Sequence, residues 1–306
     1  MAQNHILLLG AHGNIAKMMI PKFLANSWSV TALIRNGDEK QKKKQKEELE
    51  NIGKKASTKS DAVTLDVLFH NLSEVKTSED AAEVIKRASA AKPVNWIVWS
   101  AGAGGKQGLD GTISIDGRAA IQFADAATHN DQIERYLAIS AINARKSVAE
   151  WWSPEEKEKM PAAGRSKSMR VYTDAKMVAD HCLTVWADER RKKDKAFKYV
   201  VLRPGALVDS DTPLNKVHLG KATGGMKVRR EDVAEAAALL LEKGANGWFD
   251  MLQGDKTVKE EVNRVWQDDE HNETSIGNED LADMKKSVQK WPEILEQAKK
   301  EVEAMT

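Results

Sequence analysis

His5-Ile6-Leu7-Leu8-Leu9-Gly10-Ala11-His12-Gly13-Asn14-Ile15-Ala16 is the run from which the rest of the chain is read. A short apolar segment stops at Gly10, two glycines stand three apart, and a helix-compatible stretch follows at once. The order is strand, tight turn, helix, which is how a doubly wound α/β sheet begins. In such a turn, backbone N–H groups and a helix N-terminus face the phosphates of a nucleotide. Gly10 permits the turn, Gly13 lets the backbone come close to a pyrophosphate, and Ala16 takes the small position where the helix packs on the strand. Asn14 and Ile15, the first residues of that helix, belong to the same candidate site.

Working outward, apolar residues recur at helical spacing over 15–26, with Pro21 marking a kink or a boundary. A second strand over 29–35 ends in Arg35, a charged helix covers 38–50, and a third strand covers 61–67. A helix over 79–90 leads to the continuously apolar run 94–100, which suits a strand buried on both faces. That run ends in the glycine-rich loop 101–105. Helical spacing over 116–128, a strand over 133–140, a long helix over 171–191 and a strand over 199–205 follow. An alanine-leucine helix over 231–243, a last strand over 247–252 and helices from about 258 and 280 complete the chain. This alternation predicts an α/β fold: a doubly wound parallel sheet with helices on both faces and a small C-terminal helical extension. One domain is expected over 1–306, with its core at about 5–252 and the extension at about 253–306. Between the fifth strand and the long helix lies 151–168, polar and irregular, with Trp151, Trp152, Pro154 and Pro161.

Composition narrows the classes of function. With 41% hydrophobic residues the 306-residue chain can bury a large core, and a net charge of +1 offers no field for nucleic acid. The basic run 40–46 is followed by Glu47, Glu48 and Glu50 at roughly helical offsets, the mark of a solvated helix face. Cys182 is the one cysteine, so no internal disulfide forms, and its helical context suits a packed thiol. No signal peptide or membrane span is seen, and a cytoplasmic protein is expected. The seven histidines show no metal-site spacing, so no metal is expected. The expected partner is a small-molecule substrate, with neither nucleic acid nor membrane, and no oligomeric state is assigned.

Ligands of such sheets bind beyond the carboxyl ends of the strands. Arg35, at the end of the second strand, suits the 2′-phosphate of NADP, where an acidic residue would suit the ribose of NAD; Asp38 is the residue that could reverse this preference. NADP (NADPH) is therefore expected over NAD. His12, inside the turn, is placed to meet the pyrophosphate or that 2′-phosphate, or else to fill space beside the loop. Tyr172 and Lys176 stand four apart on a helix and so share one face. A nearby ammonium stabilises phenolate, which lowers a tyrosine pKa and suits proton exchange with a substrate oxygen. Ser140, at the end of the preceding strand, is placed to donate to the same oxygen.

Gly10-x-x-Gly13-x-x-Ala16, Ser140, Tyr172-x-x-x-Lys176 and Leu202-Arg203-Pro204-Gly205, in this order, resemble the short-chain dehydrogenase/reductase superfamily. The glycine spacing, with Val228 to Ala234 before an alanine-rich helix, is similar to its atypical branch of NAD(P)-binding Rossmann-fold proteins. The resemblance covers roughly 6–252. It implies Tyr172 as general acid, Lys176 on the nicotinamide ribose and Ser140 orienting the carbonyl. It further implies Asp66 and Val67 at the adenine, Ala101 and Gly102 beside the ribose, and Pro204, Gly205 and Leu207 under the nicotinamide. The chain departs from the conventional pattern in its long gap between Ser140 and Tyr172. It also has no asparagine in the fourth helix, where Ser114 and Asp116 lie nearby.

The activity implied is an NADPH-dependent oxidoreductase acting on a carbonyl or similar small organic substrate. Two other readings stay open: an NADP-binding sensor without turnover, and an epimerase or dehydratase that retains its NAD(P). The 151–168 insert is either a substrate lid or a surface loop whose tryptophans pack on the C-terminal helices. Trp248 and Phe249 are expected in the core, and Trp266 and Trp291 are expected to pin the C-terminal helices onto it.

Overall fold

The computed structural model describes residues 4–56, 62–103, 108–166, 169–209, 211 and 215–305. The first half of the fold comprises β1 (His5–Leu9), α1 (Asn14–Ala25), β2 (Ser29–Ile34), α2 (Glu39–Lys55), β3 (Leu65–Phe69), α3 (Ser78–Ala88) and β4 (Trp96–Trp99). Next come α4 (Gly108–Thr112), a π-helical turn (Ile113–Ala119), α5 (Ala120–Thr128), β5 (Arg135–Ile139), α6 (Pro154–Arg165) and α7 (Arg170–Arg191). The remainder is β6 (Lys198–Pro204), β7 (Ala206–Val208), β8 (Val217–Gly220), β9 (Lys227–Arg229), α8 (Arg230–Lys243) and β10 (Gly247–Gln253). Helices α9 (Val258–Val265), α10 (Leu281–Gln289) and α11 (Trp291–Ala304) end the chain.

The main sheet has the order β3-β2-β1-β4-β5-β6-β10-β8, parallel throughout except for β8, which runs antiparallel to β10. Successive side chains of β1 leave on opposite faces, as a period of two requires. Ile6 and Leu8 join the core under α1 and α8, while Leu7 and Leu9 join the core under α3, α5 and α7. Every residue of β1 is buried, the pattern of a strand covered on both sides. The expected doubly wound sheet is therefore the fold. The chain leaves β1 toward β2 and β3 on one side and returns through β4, β5 and β6 on the other, so the topological switch lies between β1 and β4.

Two local expectations are corrected and one is narrowed. Of the two alternatives for Pro21 the boundary is excluded, since α1 runs on to Ala25 as Ile15, Ala16, Met19, Ile20, Phe23 and Leu24 all bury on its inner face. The third strand begins and ends later than expected, at Leu65 and Phe69. The irregular insert is helical over α6. Ser153 accepts from the Glu156 N–H while the Glu156 carboxylate accepts from the Ser153 N–H, and Pro154 sits at the first turn, where its missing N–H costs nothing. Residues 167–168 of the insert, and Gly104 and Gly105 of the glycine-rich loop, lie outside the described residues.

The basic run is the solvated face of α2, with Lys46 and Glu50 paired at i,i+4. The extension folds back on α7: Leu295 packs with Ala175, Val178 and buried Cys182, and Ala298 and Val302 pack with Val171. Burial pushes the Cys182 thiol pKa well up, as befits a packed sulfur. Trp248 and Phe249 are wholly buried, and Trp266 stands edge-on to Phe249 with ring centres 6.2 Å apart. Among the described residues, no helix is long and apolar enough to cross a membrane.

Candidate active site

The turn after β1 sits at the switch point. Gly10 has φ +77°, and a Cβ there would lie 2.5 Å from the Ala101 Cα, so the turn after β1 and the loop after β4 touch backbone to backbone. The Gly13 N–H closes the turn on the Gly10 carbonyl at 2.9 Å, and the Ala11 N–H ties it to Leu33 of β2 at 3.0 Å. Gly13 caps α1 without a side chain, and the first turn of α1 holds no acidic residue. Its N–H groups and the positive end of its dipole are thus left for an anion. Ile15 is buried in the core, so only its backbone N–H remains to contribute; Asn14 is exposed.

A cleft of about 420 Å³ opens over this turn, with Gly10, Gly13, Ala101 and Gly102 in its wall. Arg35 and Asn36 border it beyond β2, and no ion pair among the described residues engages Arg35. His12 lines the cleft too, but its Nε2 is 2.8 Å from Glu48 Oε2 on α2, and Lys17 Nζ is 2.8 Å from the other oxygen. These two hydrogen bonds hold the Glu48 carboxyl below its ordinary range. His12 thus braces the turn against α2 with one nitrogen.

Beyond β3 the lining of the cleft differs from the residues named for the adenine. Asp66 and Val67 lie within β3, opposite Thr31 and Ala32, and do not line the cleft; the Asp66 carboxylate accepts from Thr64 Oγ1 at 3.0 Å. His70, Asn71 and Leu72 line it instead, because the strand runs on through Leu68 and Phe69 before the chain turns. His70 Nε2 is buried with no hydrogen-bond partner among the described residues, and burial, followed by the charge of Arg87, lowers the pKa of this ring. The continuation of the apolar run through Phe69 was the available signal. Pro204, Gly205 and Leu207 do not line this cleft either. Gly205 is instead a packing requirement, since a Cβ there would lie 2.3 Å from the Met226 carbonyl oxygen that the Ala206 N–H binds.

Tyr172, Lys176 and Asp180 follow one another at i, i+4 and i+8 on the face of α7 turned to the end of β5. Lys176 Nζ donates to the Ile139 carbonyl at 3.2 Å, lies 3.4 Å from Asp116 Oδ1, and stands 5.8 Å from the centre of the Tyr172 ring. Asp116, presented by the π-helical turn, accepts from the Ala103 N–H at 2.8 Å through its other oxygen. It therefore joins Lys176 to the loop after β4. Ser140 is fixed by its N–H to Leu202 O at 2.8 Å, and its Oγ donates to Asp180 Oδ2 at 2.5 Å.

The expected lowering of the tyrosine pKa is not found. Burial raises it and outweighs the downward pull of Lys176, while Asp116 and Asp180 add to the rise. Burial also works against the Lys176 ammonium, but Asp116, Tyr172 and Asp180 more than offset it, and its pKa is raised. Tyr172 thus holds its proton more firmly than a free phenol, beside a lysine whose charge its neighbours stabilise. Asp180 lay unremarked in the sequence, because nothing in the local pattern separates a buried carboxylate on α7 from a solvated one.

A second cavity, about 220 Å³, lies between α7 and the loop after β5, with Asn143, Ser147, Trp152, Arg170 and Thr173 in its wall. Thr173 Oγ1 is buried there without a hydrogen-bond partner among the described residues. Trp152 reaches this cavity, yet both tryptophans also pack inward: Trp152 with Ile142, Ala149, Ala222 and Leu252, and both rings against the Arg145 guanidinium, at 4.9 Å for Trp151 and 5.9 Å for Trp152. Below them is a buried ionic group that sequence reading missed. Arg145 Nη1 is 3.1 Å from Asp250 Oδ2, its Nε is 3.6 Å from Glu279 Oε1, and Arg203 Nε is 3.6 Å from Asp250 Oδ1. It joins the loop after β5 to β6, β10 and the segment leading into α10.

A glycine turn backed against a neighbouring loop, an uncapped helix N-terminus and a cleft at the switch point define a dinucleotide-binding class of doubly wound protein. Residues 72–243 match the model of a family described as NAD(P)H-binding, and the chain belongs to that family. The membership agrees with the resemblance drawn from the motifs. Over 263 residues the chain is 27% identical to an uncharacterized sugar epimerase of Bacillus subtilis, covering 85% of this chain and 99% of that protein. The fold is similar to a putative NAD-dependent epimerase/dehydratase of Bacillus halodurans, with a TM-score of 0.58, 23% identity and coverage of 85% and 99%. It is also similar to an oxidoreductase of Lactococcus lactis, with a TM-score of 0.54, 18% identity and coverage of 85% and 95%.

Proposed function

We propose that this protein is an NADPH-dependent oxidoreductase that reduces a carbonyl on a small organic substrate, with Tyr172 as its general acid. The observation that carries the reading is the placement of Tyr172, Lys176 and Ser140 around the end of β5, joined through Asp116 to the loop that backs the glycine turn. The residues present fit a dinucleotide. The Gly10 contact leaves no room for a side chain, the N-terminus of α1 is free for the pyrophosphate, and His70 and Asn71 border the cleft beyond β3. Gly10 to Ile15 would hold the pyrophosphate, Arg35 the 2′-phosphate, His70 and Asn71 the adenine, and Lys176 the ribose next to the nicotinamide. When bound, the cofactor supplies the hydride. As the C–H bond forms at the carbonyl carbon, the Tyr172 phenolic proton passes to the oxygen and completes the alcohol. Lys176 stabilises the phenolate that remains, which then takes a proton from solvent.

A panel of aldehydes, ketones and quinones with NADPH tests the reading. Tyr172→Phe is expected to lower turnover about 10²- to 10⁴-fold, the range for a positioned general acid, and undiminished turnover would refute the mechanism. Arg35→Ala is expected to weaken NADPH binding about tenfold to a hundredfold, the loss of a charge-assisted contact worth roughly 1.5–3 kcal/mol, and to leave NADH unchanged. Calorimetric titration of both nucleotides checks this; an unchanged preference for NADPH would remove Arg35 from the site.

A second reading is favoured by the name of the Bacillus subtilis relative, a sugar epimerase matched along nearly its full length. Here the same residues would oxidise an alcohol and reduce the ketone back. Cofactor retained through purification, with isomerisation of a sugar and no net change in NADP(H), distinguishes it.

A further inference from the structure

A hydroxyl group has one proton to give. Ser140 Oγ gives its proton to Asp180 Oδ2 at 2.5 Å, and both residues are buried, at 4% and 2% exposure. So engaged, Ser140 keeps only lone pairs for a third atom. It can accept a hydrogen bond from an alcohol but has nothing to offer a carbonyl oxygen. If the carboxyl of Asp180 is protonated instead, it donates to Oγ and the serine proton is released toward the substrate.

We propose that Asp180 is a positioning residue that sets which partner Ser140 receives: a carbonyl when the acid is neutral, an alcohol when it is ionised. The proposal rests on the reading of Ser140 and Tyr172 as the hydride-transfer site. Asp180 contributes no net proton to the product. In reduction the new O–H proton comes from Tyr172, in oxidation the alcohol proton goes to the Tyr172 phenolate, and the Asp180 proton moves only within its pair with Ser140.

The groups around Asp180 come from every neighbouring element. Lys176 lies one turn earlier on α7, Arg203 on β6, Asp250 on β10, Tyr136 on β5 and Asp116 on the π-helical turn. Asp116, Lys176, Tyr136 and Asp180 border one small cavity of about 10 Å³. Burial is the strongest influence on the Asp180 carboxyl and pushes its pKa up to about 7. Arg203, the Ser140 hydrogen bond and Lys176 pull against it, and Asp250 adds to the rise. The pair therefore changes state near neutral pH. An enzyme that oxidises a substrate and then reduces it needs Ser140 to act both ways in one turnover, and such a carboxyl allows this at small cost.

The test is an infrared pH titration of the whole protein, free of substrate, following the C=O band of protonated carboxyls. Wild type is expected to show a buried carboxyl with its midpoint near pH 7. The band should be missing in Asp180→Asn. In Ser140→Ala the midpoint should move up by about one unit, because the ionised form loses a hydrogen-bond donor. Ser140→Ala keeps the test decisive even if Asp180→Asn does not fold. No carboxyl titrating between pH 6 and 8 in wild type, or a midpoint unmoved in Ser140→Ala, overturns the proposal. With a carbonyl that the enzyme turns over, reductive kcat/KM should fall tenfold per pH unit above 7 in wild type and run level there in Asp180→Asn. The titration needs no turnover, so its failure removes Asp180 alone, whereas full activity of Tyr172→Phe removes the hydride-transfer reading and leaves the titration standing.

Discussion

Gly10→Ala is expected to destabilise the fold by about 2–5 kcal/mol and to weaken NADPH binding more than a hundredfold. Two costs add. At φ +77° an alanine takes a left-handed backbone conformation that costs roughly 1–2 kcal/mol. Its methyl would also stand 2.5 Å from the Ala101 Cα and 2.8 Å from the Ala101 nitrogen, both backbone atoms that no rotamer change can move aside. Overpacking of this kind costs about 1–3 kcal/mol. The binding loss follows from the same displacement, because the loop that must yield carries Ala101 and Gly102 in the wall of the cleft. Urea unfolding and calorimetric titration with NADPH measure the two effects separately. A Gly10→Ala protein that binds NADPH within threefold of wild type would show that the turn is not the cradle.

Arg145→Met is expected to cost about 3–5 kcal/mol, the range for removing one partner of a buried ion pair. The guanidinium is 2% exposed and faces Asp250 and Glu279, which are 0% and 2% exposed. It also donates to the carbonyls of Ser275 and Ile276 and lies against Trp151, Trp152 and Trp248. Methionine keeps much of the length and none of the charge, so Asp250 loses one of its two arginines and Glu279 keeps only the Ser147 N–H, His181 and the charge of Arg203. Burial already lowers the Arg203 pKa to about 10. In wild type the Glu279 carboxyl is held below its ordinary range: burial pushes it up, but His181, the Ser147 N–H, Arg145 and Arg203 prevail. A depressed carboxyl pKa adds stability above its unfolded value and loses it as pH falls through the folded value. Without Arg145 that contribution shrinks, so the deficit should be larger at pH 8 than at pH 4.5, where protonation relieves the unpaired charge. Urea unfolding at both pH values checks this, and a loss under about 1 kcal/mol at pH 8 would make the ionic group incidental.

Much of the fold was legible because it rests on local patterns. The four apolar residues Ile6 to Leu9 of β1, the run ending at Trp99 and the alanine-rich face of α8 each announce their burial by period or by continuity. Where local signals compete, the reading erred. Two prolines made the insert look irregular, although Ser153-Pro154-Glu155-Glu156 carries a helix start that the capping geometry completes. The strand expected to stop at Val67 runs to Phe69, and the shift moves the lining of the cleft from Asp66 to His70.

By itself the sequence determined the alternation of strands and helices, the glycine turn and the pairing of Tyr172 with Lys176 on one helix face. All of these depend on neighbours within about a dozen residues, where periodicity and backbone freedom are the governing physics. Only the tertiary structure decided that Asp116 meets Lys176 from 60 positions away, that Asp180 accepts a hydrogen bond from Ser140, and that Arg145 lies between Asp250 and Glu279. A carboxylate in the sequence has no fixed meaning. Its charge, its partner and its pKa depend on how much water the fold removes around it and on which distant side chains arrive there in its place.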